Sequence, residues 1–251
     1  MRILVVNPNT SETMTAAIDR AACRQAAPTT EIVTLRSEYG AEGIDSHFAS
    51  LLSAVAVMDC VSTYPHHYDA VVMAGFGEQG REGVQEIASA PVFDIAECSA
   101  HVAQLIGRTY SVITTLSRSI AAIEDRLTVA GLSARCASVR AAGLDTLEVE
   151  QDPQHAQQKI LAQARHAVEH DRAEVICLGC AGMTGLNELI TAELGVPVVD
   201  GVAAGVAMAE AIVGLGLSTS RVCTYAAPGE KSVKGWPLSE MMQYLGIRRP
   251  C

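Results

Sequence analysis

Short runs rich in Val and Ile recur along the chain, and longer helical stretches separate them. The runs predict buried strands at 3–6, 31–35, 69–73, 91–94, 110–114, 134–141, 174–178 and 196–199. The intervening stretches predict helices at 11–26, 47–64, 81–89, 96–106, 117–130, 154–170, 186–194 and 203–215. Thr10 or Ser11 is placed to cap the first helix. From Ser218 onward the chain reads as a loop ending in a short helix at 238–245. A strand followed by a helix and then another strand implies right-handed crossovers and parallel pairing. The expected class is therefore α/β.

The pattern restarts near residue 110, and the two halves resemble each other. Val5-Val6-Asn7-Pro8-Asn9-Thr10 answers Val112-Ile113-Thr114-Thr115-Leu116-Ser117, and Asp69-Ala70-Val71-Val72-Met73-Ala74-Gly75 answers Glu174-Val175-Ile176-Cys177-Leu178-Gly179-Cys180. Each half thus offers two turns of small or polar residues at the carboxyl ends of strands, where open α/β sheets bind ligands. Two such halves face each other across a cleft with near two-fold symmetry. We expect two similar lobes, each a mainly parallel sheet flanked by helices. The first comprises residues 1–97 plus 206–251, and the second 98–205.

Composition narrows the picture. Apolar residues make up 49% and charged residues 18% of the 251, enough for a sizeable core. Aromatics are only 4%, so the core is built of small aliphatic side chains, as suits helices packed on a parallel sheet. The net charge of −10 argues against nucleic acid as a partner. No apolar run reaches the length of a membrane span. The opening Met1-Arg2-Ile3-Leu4-Val5-Val6 reads as a strand rather than a signal peptide, which makes a cytoplasmic location the expectation. The eight cysteines then read as reduced thiols.

Cys180 in Leu178-Gly179-Cys180-Ala181-Gly182-Met183 is the first candidate for chemistry. A cysteine between glycines at the end of a buried strand sits where backbone N–H groups converge, and those groups can hold a thiolate or an anionic oxygen. A thiol can also serve as an acid/base at carbon. Spacing alone favours a plainer role, a small buried hydrophobe. Cys177-x-x-Cys180 lacks the second pair a structural zinc needs, and Cys177 falls within the strand. Gly75-Phe76-Gly77-Glu78-Gln79-Gly80 matches a dinucleotide fingerprint, with Asp94 where a ribose-binding acid would lie. It falls in the third unit before a very short helix, which argues against a dinucleotide, and a tight loop serving a small ligand is preferred over a plain turn because the equivalent turn of the other half carries Cys180. Asn7, Asn9, Thr114 and Thr115 follow strands and can bind a carboxylate or an imide without adding charge. Helix capping is the competing role there. The seven histidines show no metal spacing, although His47 lies near a loop and can reach a cleft.

The Asn7-Pro8-Asn9-Thr10 and Thr114-Thr115 turns, together with Gly179-Cys180-Ala181-Gly182-Met183, resemble the hydantoin and allantoin racemases of the aspartate/glutamate racemase superfamily, in the same order and over nearly the whole chain. The resemblance implies two α/β lobes, no metal and no organic cofactor, a small-molecule substrate and a homo-oligomer. It further implies that two cysteines flank the stereocentre, one removing a proton and the other returning one to the opposite face. Cys180 matches the second cysteine, and Gly75 stands where the first belongs. Glu78 or a bound water can then serve as the other base, the chain can be an impaired or purely binding variant, or the chemistry needs one thiol. Arylmalonate decarboxylases, which carry a glycine there and protonate an enediolate with one cysteine, are the related alternative. The hydroxyl-rich turn that follows their glycine is replaced here by Phe76-Gly77. The resulting expectation is an isomerase transferring protons at the carbon beside a carbonyl of a 5-substituted hydantoin or similar cyclic ureide. Cys180 is the acid/base and Glu78 the candidate second base. Asn7, Asn9, Gly75, Phe76, Gly77, Thr114, Thr115, Gly179, Ala181 and Gly182 surround the substrate.

Overall fold

The computed structural model describes residues 1–77, 79–145 and 148–229. The helix expected at 238–245 lies outside the described residues. The first lobe holds strands β1 (Arg2–Asn7), β2 (Glu31–Arg36), β3 (Ala70–Met73) and β4 (Val92–Asp94) in the order β2-β1-β3-β4, all parallel. Helices α1 (Glu12–Gln25), α2 (His47–Ser62), α3 (Arg81–Ile87) and α4 (Ile95–Ile106) join and follow them. The second lobe repeats the plan with β5 (Tyr110–Thr114), β6 (Cys136–Ala141), β7 (Val175–Leu178) and β8 (Val198–Val199) in the order β6-β5-β7-β8, again parallel. Its helices are α5 (Ile120–Val129), α6 (Glu148–Gln151), α7 (Pro153–His170), α8 (Asn187–Leu194) and α9 (Gly201–Gly214).

The uniform Val/Ile runs of β1, β3, β5 and β7 follow from burial on both faces. In the first lobe Ile3, Val5 and Val72 pack with Ile18 of α1 and Val206 of α9. Leu4, Val6 and Val71 point the other way, onto Val57 and Val61 of α2 and Val84 of α3. In the second lobe Ile113, Ile176 and Leu178 meet the Ala156, Ile160, Ala164 and Ala167 stripe of α7. Val112 and Cys177 meet Ile123 and Leu127 of α5 on the opposite face. Helix α9, which leaves the second sheet, packs on α1, α4 and β3 and so returns to the first lobe.

Caps set the helix starts. Ser11, not Thr10, accepts from Met14 N to cap α1, while Ser46, Asp94, Asp152 and Asp200 cap α2, α4, α7 and α9. Four expected boundaries move for local reasons. Ser117–Ser119 and Ser133–Arg135 form 3-10 turns that delay α5 and shorten β6. Strand β8 begins at Val198 because Pro197 has no N–H to pair, although its carbonyl still accepts from Ile176 N at 3.0 Å. Asp200 starts α9 two residues earlier than expected.

Candidate active site

The shared strand order carries the turns after β1, β3, β5 and β7 to one place. Ala74 N donates to Val6 O at 2.9 Å, and Gly179 N donates to Ile113 O at 2.8 Å, so the two lobes lay the same backbone bond at the same step. Two residues beyond each strand end stand Gly75 and Cys180, as equivalent positions. Around them lies a cavity of about 60 Å³, lined by Pro8, Asn9 and Met14 from the first turn, Ala74, Gly75, Phe76 and Gln79 from the second, Thr114, Thr115 and Ser119 from the third, Gly179, Cys180 and Ala181 from the fourth, and Ile44. None of these is Asp, Glu, Lys, Arg or His. The cavity therefore suits a neutral, polar ligand, and Cys180 brings a thiol to its wall.

Cys180 is half-buried, in extended backbone at φ −157° and ψ 136°. Its Sγ accepts from Gly182 N at 3.4 Å at the head of the 3-10 turn Ala181–Met183, and an N–H aimed at sulfur is the arrangement that holds a thiolate. Close approach forces Gly179 just before it. A Cβ there would lie 2.7 Å from Val112 Cγ1 and 2.8 Å from the Ile113 carbonyl oxygen. The far end of the turn is tied down by Asp200. Its Oδ2 accepts from Thr184 Oγ1 and from Gly185 N at 3.1 Å, while Oδ1 caps α9 through Val202 N at 2.9 Å and Ala203 N at 3.2 Å.

The other cysteines differ from Cys180 in surroundings. No disulfide joins any two of the seven described cysteines. Cys177, wholly buried, donates to Ser99 O at 3.6 Å, and burial pushes its thiol far up, as it does for Cys98. Burial raises Cys60 and Cys136 to about 11. Such thiols pack and do not ionise near neutral pH.

The expected site residues separate into three groups. Asn9, Gly75, Phe76, Thr114, Thr115, Gly179, Cys180 and Ala181 line the cavity. Asn7 does not: it is fully buried, its Nδ2 donates to Asn9 Oδ1 at 2.9 Å and Thr15 Oγ1 at 2.8 Å, and its Oδ1 accepts from Asn9 N. Its polar atoms are taken up by Asn9, Ser11 and Thr15, and it lies behind the cavity wall rather than on it. Gly182 supplies the N–H at the sulfur, and Gly77 borders the neighbouring cavity. Glu78 lies outside the described residues. Asp94 caps α4 and pairs with Arg126 at 3.0 Å and Arg81 at 3.3 Å, so the place of a ribose-binding acid is taken by an ion cluster.

A larger cavity of about 450 Å³ adjoins the first and shares Ile44, Phe76, Gln79 and Ser119 with it. Its walls come from the start of α2, including His47, and from Ala122, Ile123, Arg126 and Val129 of α5. Arg126 of the second lobe reaches Glu82 at 2.7 Å, Asp94 at 3.0 Å and Glu97 at 2.5 Å of the first. Burial works against ionising Glu82, but the guanidiniums of Arg126 and Arg81 outweigh it and hold its carboxyl low, whereas burial and the neighbouring Asp94 raise Glu97. The cluster couples the lobes beside the site. Asp200 and Arg126 were not identified from sequence, because each acts through partners well separated in the chain, and Gln79 was not because its place depends on the missing side chain of Gly75. The only local sign was an Asp before a helix at 200.

The sequence profile of the Asp/Glu/hydantoin racemase family matches residues 3–209. A hydantoin racemase of Pseudomonas sp. strain NS671 is 37% identical over 236 residues, covering 94% of this chain and 95% of that protein. The crystal structure of an allantoin racemase from Pseudomonas fluorescens is 54% identical, with a TM-score of 0.92 over 94% of this chain and all of that one. An arylmalonate decarboxylase, 17% identical with a TM-score of 0.60 over 85% of this chain and 93% of that one, shares the fold.

Proposed function

The chain belongs to the Asp/Glu/hydantoin racemase family and is a racemase-type isomerase, and from that premise we propose that it inverts the stereocentre of a 5-substituted hydantoin or similar cyclic ureide. The observation that carries the substrate class is the lining of the cavity at Cys180, polar but without a formally charged side chain among the described residues. A dicarboxylate would bring two negative charges into a lining that offers neutral donors and no cationic side chain. A neutral ring needs hydrogen-bond donors and acceptors, which Asn9, Thr114 and Thr115 offer.

The ring lies against Cys180 with its acidic carbon toward Sγ, and its substituent passes Phe76 into the larger cavity. Cys180 removes or returns the proton on its own face, and the N–H of Gly182 steadies the sulfur while it is negative. Inversion also needs proton transfer on the face of Gly75, which has no side chain. We assign that transfer to Glu78, the ionisable residue nearest to Gly75 in sequence. The likeness to the decarboxylase extends to the fold alone and does not favour that chemistry.

Proton NMR in D₂O with enantiopure 5-substituted hydantoins tests the reading. Deuterium should enter at carbon 5 with loss of optical rotation, and Cys180→Ser should stop the loss of rotation together with exchange of the enantiomer whose proton faces sulfur. Exchange with retained rotation would overturn inversion. Glu78→Gln should leave one-face exchange and stop inversion. Conversion of an arylmalonate, with every hydantoin untouched, would move the protein to the decarboxylases.

A further inference from the structure

Gly75 is the structural counterpart of Cys180, yet the space beside it is not empty. A Cβ built there would run into Gln79 Oε1 and stand 2.8 Å from Pro8 Cγ and 2.9 Å from Gln79 Cδ. The other end of the same carboxamide lies over the next turn, with Nε2 3.2 Å from a Cβ built on Gly77. Gln79 thus fills the wall opposite the thiol. It is 6% exposed and borders both cavities. No hydrogen bond joins its carboxamide to another described residue, and its polar atoms are not among the fully enclosed ones left without a partner, so they reach the open space of the cavities. A carboxamide so placed is open to a ligand.

We propose that Gln79 is the residue that recognises the substrate, pairing its carboxamide with a cis-lactam edge of the ring. The inference rests on the cyclic-ureide reading above and names the group that selects for it. A carboxamide presents one donor and one acceptor side by side. A ring lactam presents the complementary acceptor and donor at the same spacing, so the two meet in a double hydrogen bond. A carboxylate has no N–H to offer and would set an anionic oxygen against Oε1. Of the lactam edges in a hydantoin, the one containing N3–H and the carbonyl at carbon 4 is the productive partner. When Cys180 takes the proton from carbon 5, the electron pair of the broken C–H bond moves toward that carbonyl oxygen as an enolate. The Nε2–H of Gln79 then meets growing negative charge and strengthens its bond. Gln79 carries no proton between faces. It holds the ring and stabilises the enolate.

Gln79→Met keeps the length and shape of the side chain and removes both polar ends, so the wall over Gly75 stays filled. Two readouts are informative. In the Cys180→Ser background, calorimetric affinity for a 5-substituted hydantoin should fall 10- to 100-fold on Gln79→Met, about what two lost hydrogen bonds represent. In the active chain, kcat/KM for carbon-5 exchange should fall about 10²- to 10³-fold, as for loss of one donor to an oxyanion. A 3-methyl hydantoin lacks the N–H that Oε1 would accept. Methylation and Gln79→Met should therefore be strongly non-additive, whereas a merely structural Gln79 would give additive losses. Equal hydantoin affinity with and without Gln79→Met, or additive losses, overturns the proposal while leaving the isomerase reading intact. Absence of both hydantoin binding and exchange in the otherwise unaltered chain overturns the two together.

Discussion

Asp200→Ala should loosen the turn that carries Cys180 and the helix behind it in one stroke, because the carboxylate serves both. It is 8% exposed, so water replaces little of what is lost. Losing the two bonds that cap α9 costs about 1 kcal/mol. The bonds from Thr184 Oγ1 and Gly185 N go to a charged acceptor and are worth about 1.5 kcal/mol each. The sum, about 4 kcal/mol, corresponds to a fall in melting temperature of roughly 8–16 °C for a chain of this size. Asp200→Asn keeps one acceptor oxygen for the helix but sets an NH₂ toward Gly185 N–H, so it should lose about half as much. The functional effect should exceed the thermal one. Cys180 begins the turn whose far end Asp200 holds, and a shift of about 1 Å at a reacting atom costs on the order of 10²-fold in rate. The assay is carbon-5 deuterium exchange measured well below each variant's melting temperature, beside thermal unfolding followed by circular dichroism. Asp200→Ala with a midpoint within about 2 °C of the parent and unchanged kcat/KM would refute the argument. A lowered midpoint with full activity would show that the turn keeps its shape unaided.

Gly179→Ala should lower both stability, by about 1–3 kcal/mol, and exchange rate, since its Cβ meets the fixed Ile113 carbonyl at 2.8 Å; wild-type behaviour in urea titration and exchange would show that the strand can move. Arg126→Met leaves Asp94 and Glu97 to Arg81 alone and should destabilise the chain by up to about 3 kcal/mol, read by urea titration; no loss would mean the cluster contributes nothing to lobe coupling. Stability should fall as pH drops below the ordinary carboxylate range. The Arg2 N–H holds Asp69 low, and at Asp171 and Glu82 burial is outweighed by Ser138 and Arg140 and by Arg126 respectively. With native values below unfolded ones, the native chain binds fewer protons there, so stability present at neutral pH is lost on acidification. A melting temperature level from pH 6 to pH 3 would contradict this. Glu97, raised by burial and Asp94, contributes in the opposite sense.

Strands β1, β3, β5 and β7 were legible because burial on both faces leaves one composition, and their turns were legible because the halves repeat. What escaped depends on where side chains go after folding. Asn7 and Asn9 look alike in sequence, but Asn7 spends its amide on Asn9 and Thr15, and only Asn9 reaches the cavity. Gln79 gave no signal because its role comes from the absence of a Cβ at Gly75, a property of two residues together. Asp200 was readable as a cap and unreadable as a tie to Thr184, since nothing in the spacing brings the turn and the helix together. The Arg126 cluster needs two elements of different lobes to meet.

The unequal walls of the cleft carry a thermodynamic consequence. Enantiomers have equal free energies, so the equilibrium constant for their interconversion is one. The Haldane relation then requires the two directions to have the same kcat/KM, however differently Cys180 and the Gly75 wall are furnished. Any asymmetry between the faces can surface only in how each direction divides that ratio between turnover and saturation. The hand whose proton faces sulfur should saturate and turn over in one proportion, and its mirror image in another, with the two quotients locked together.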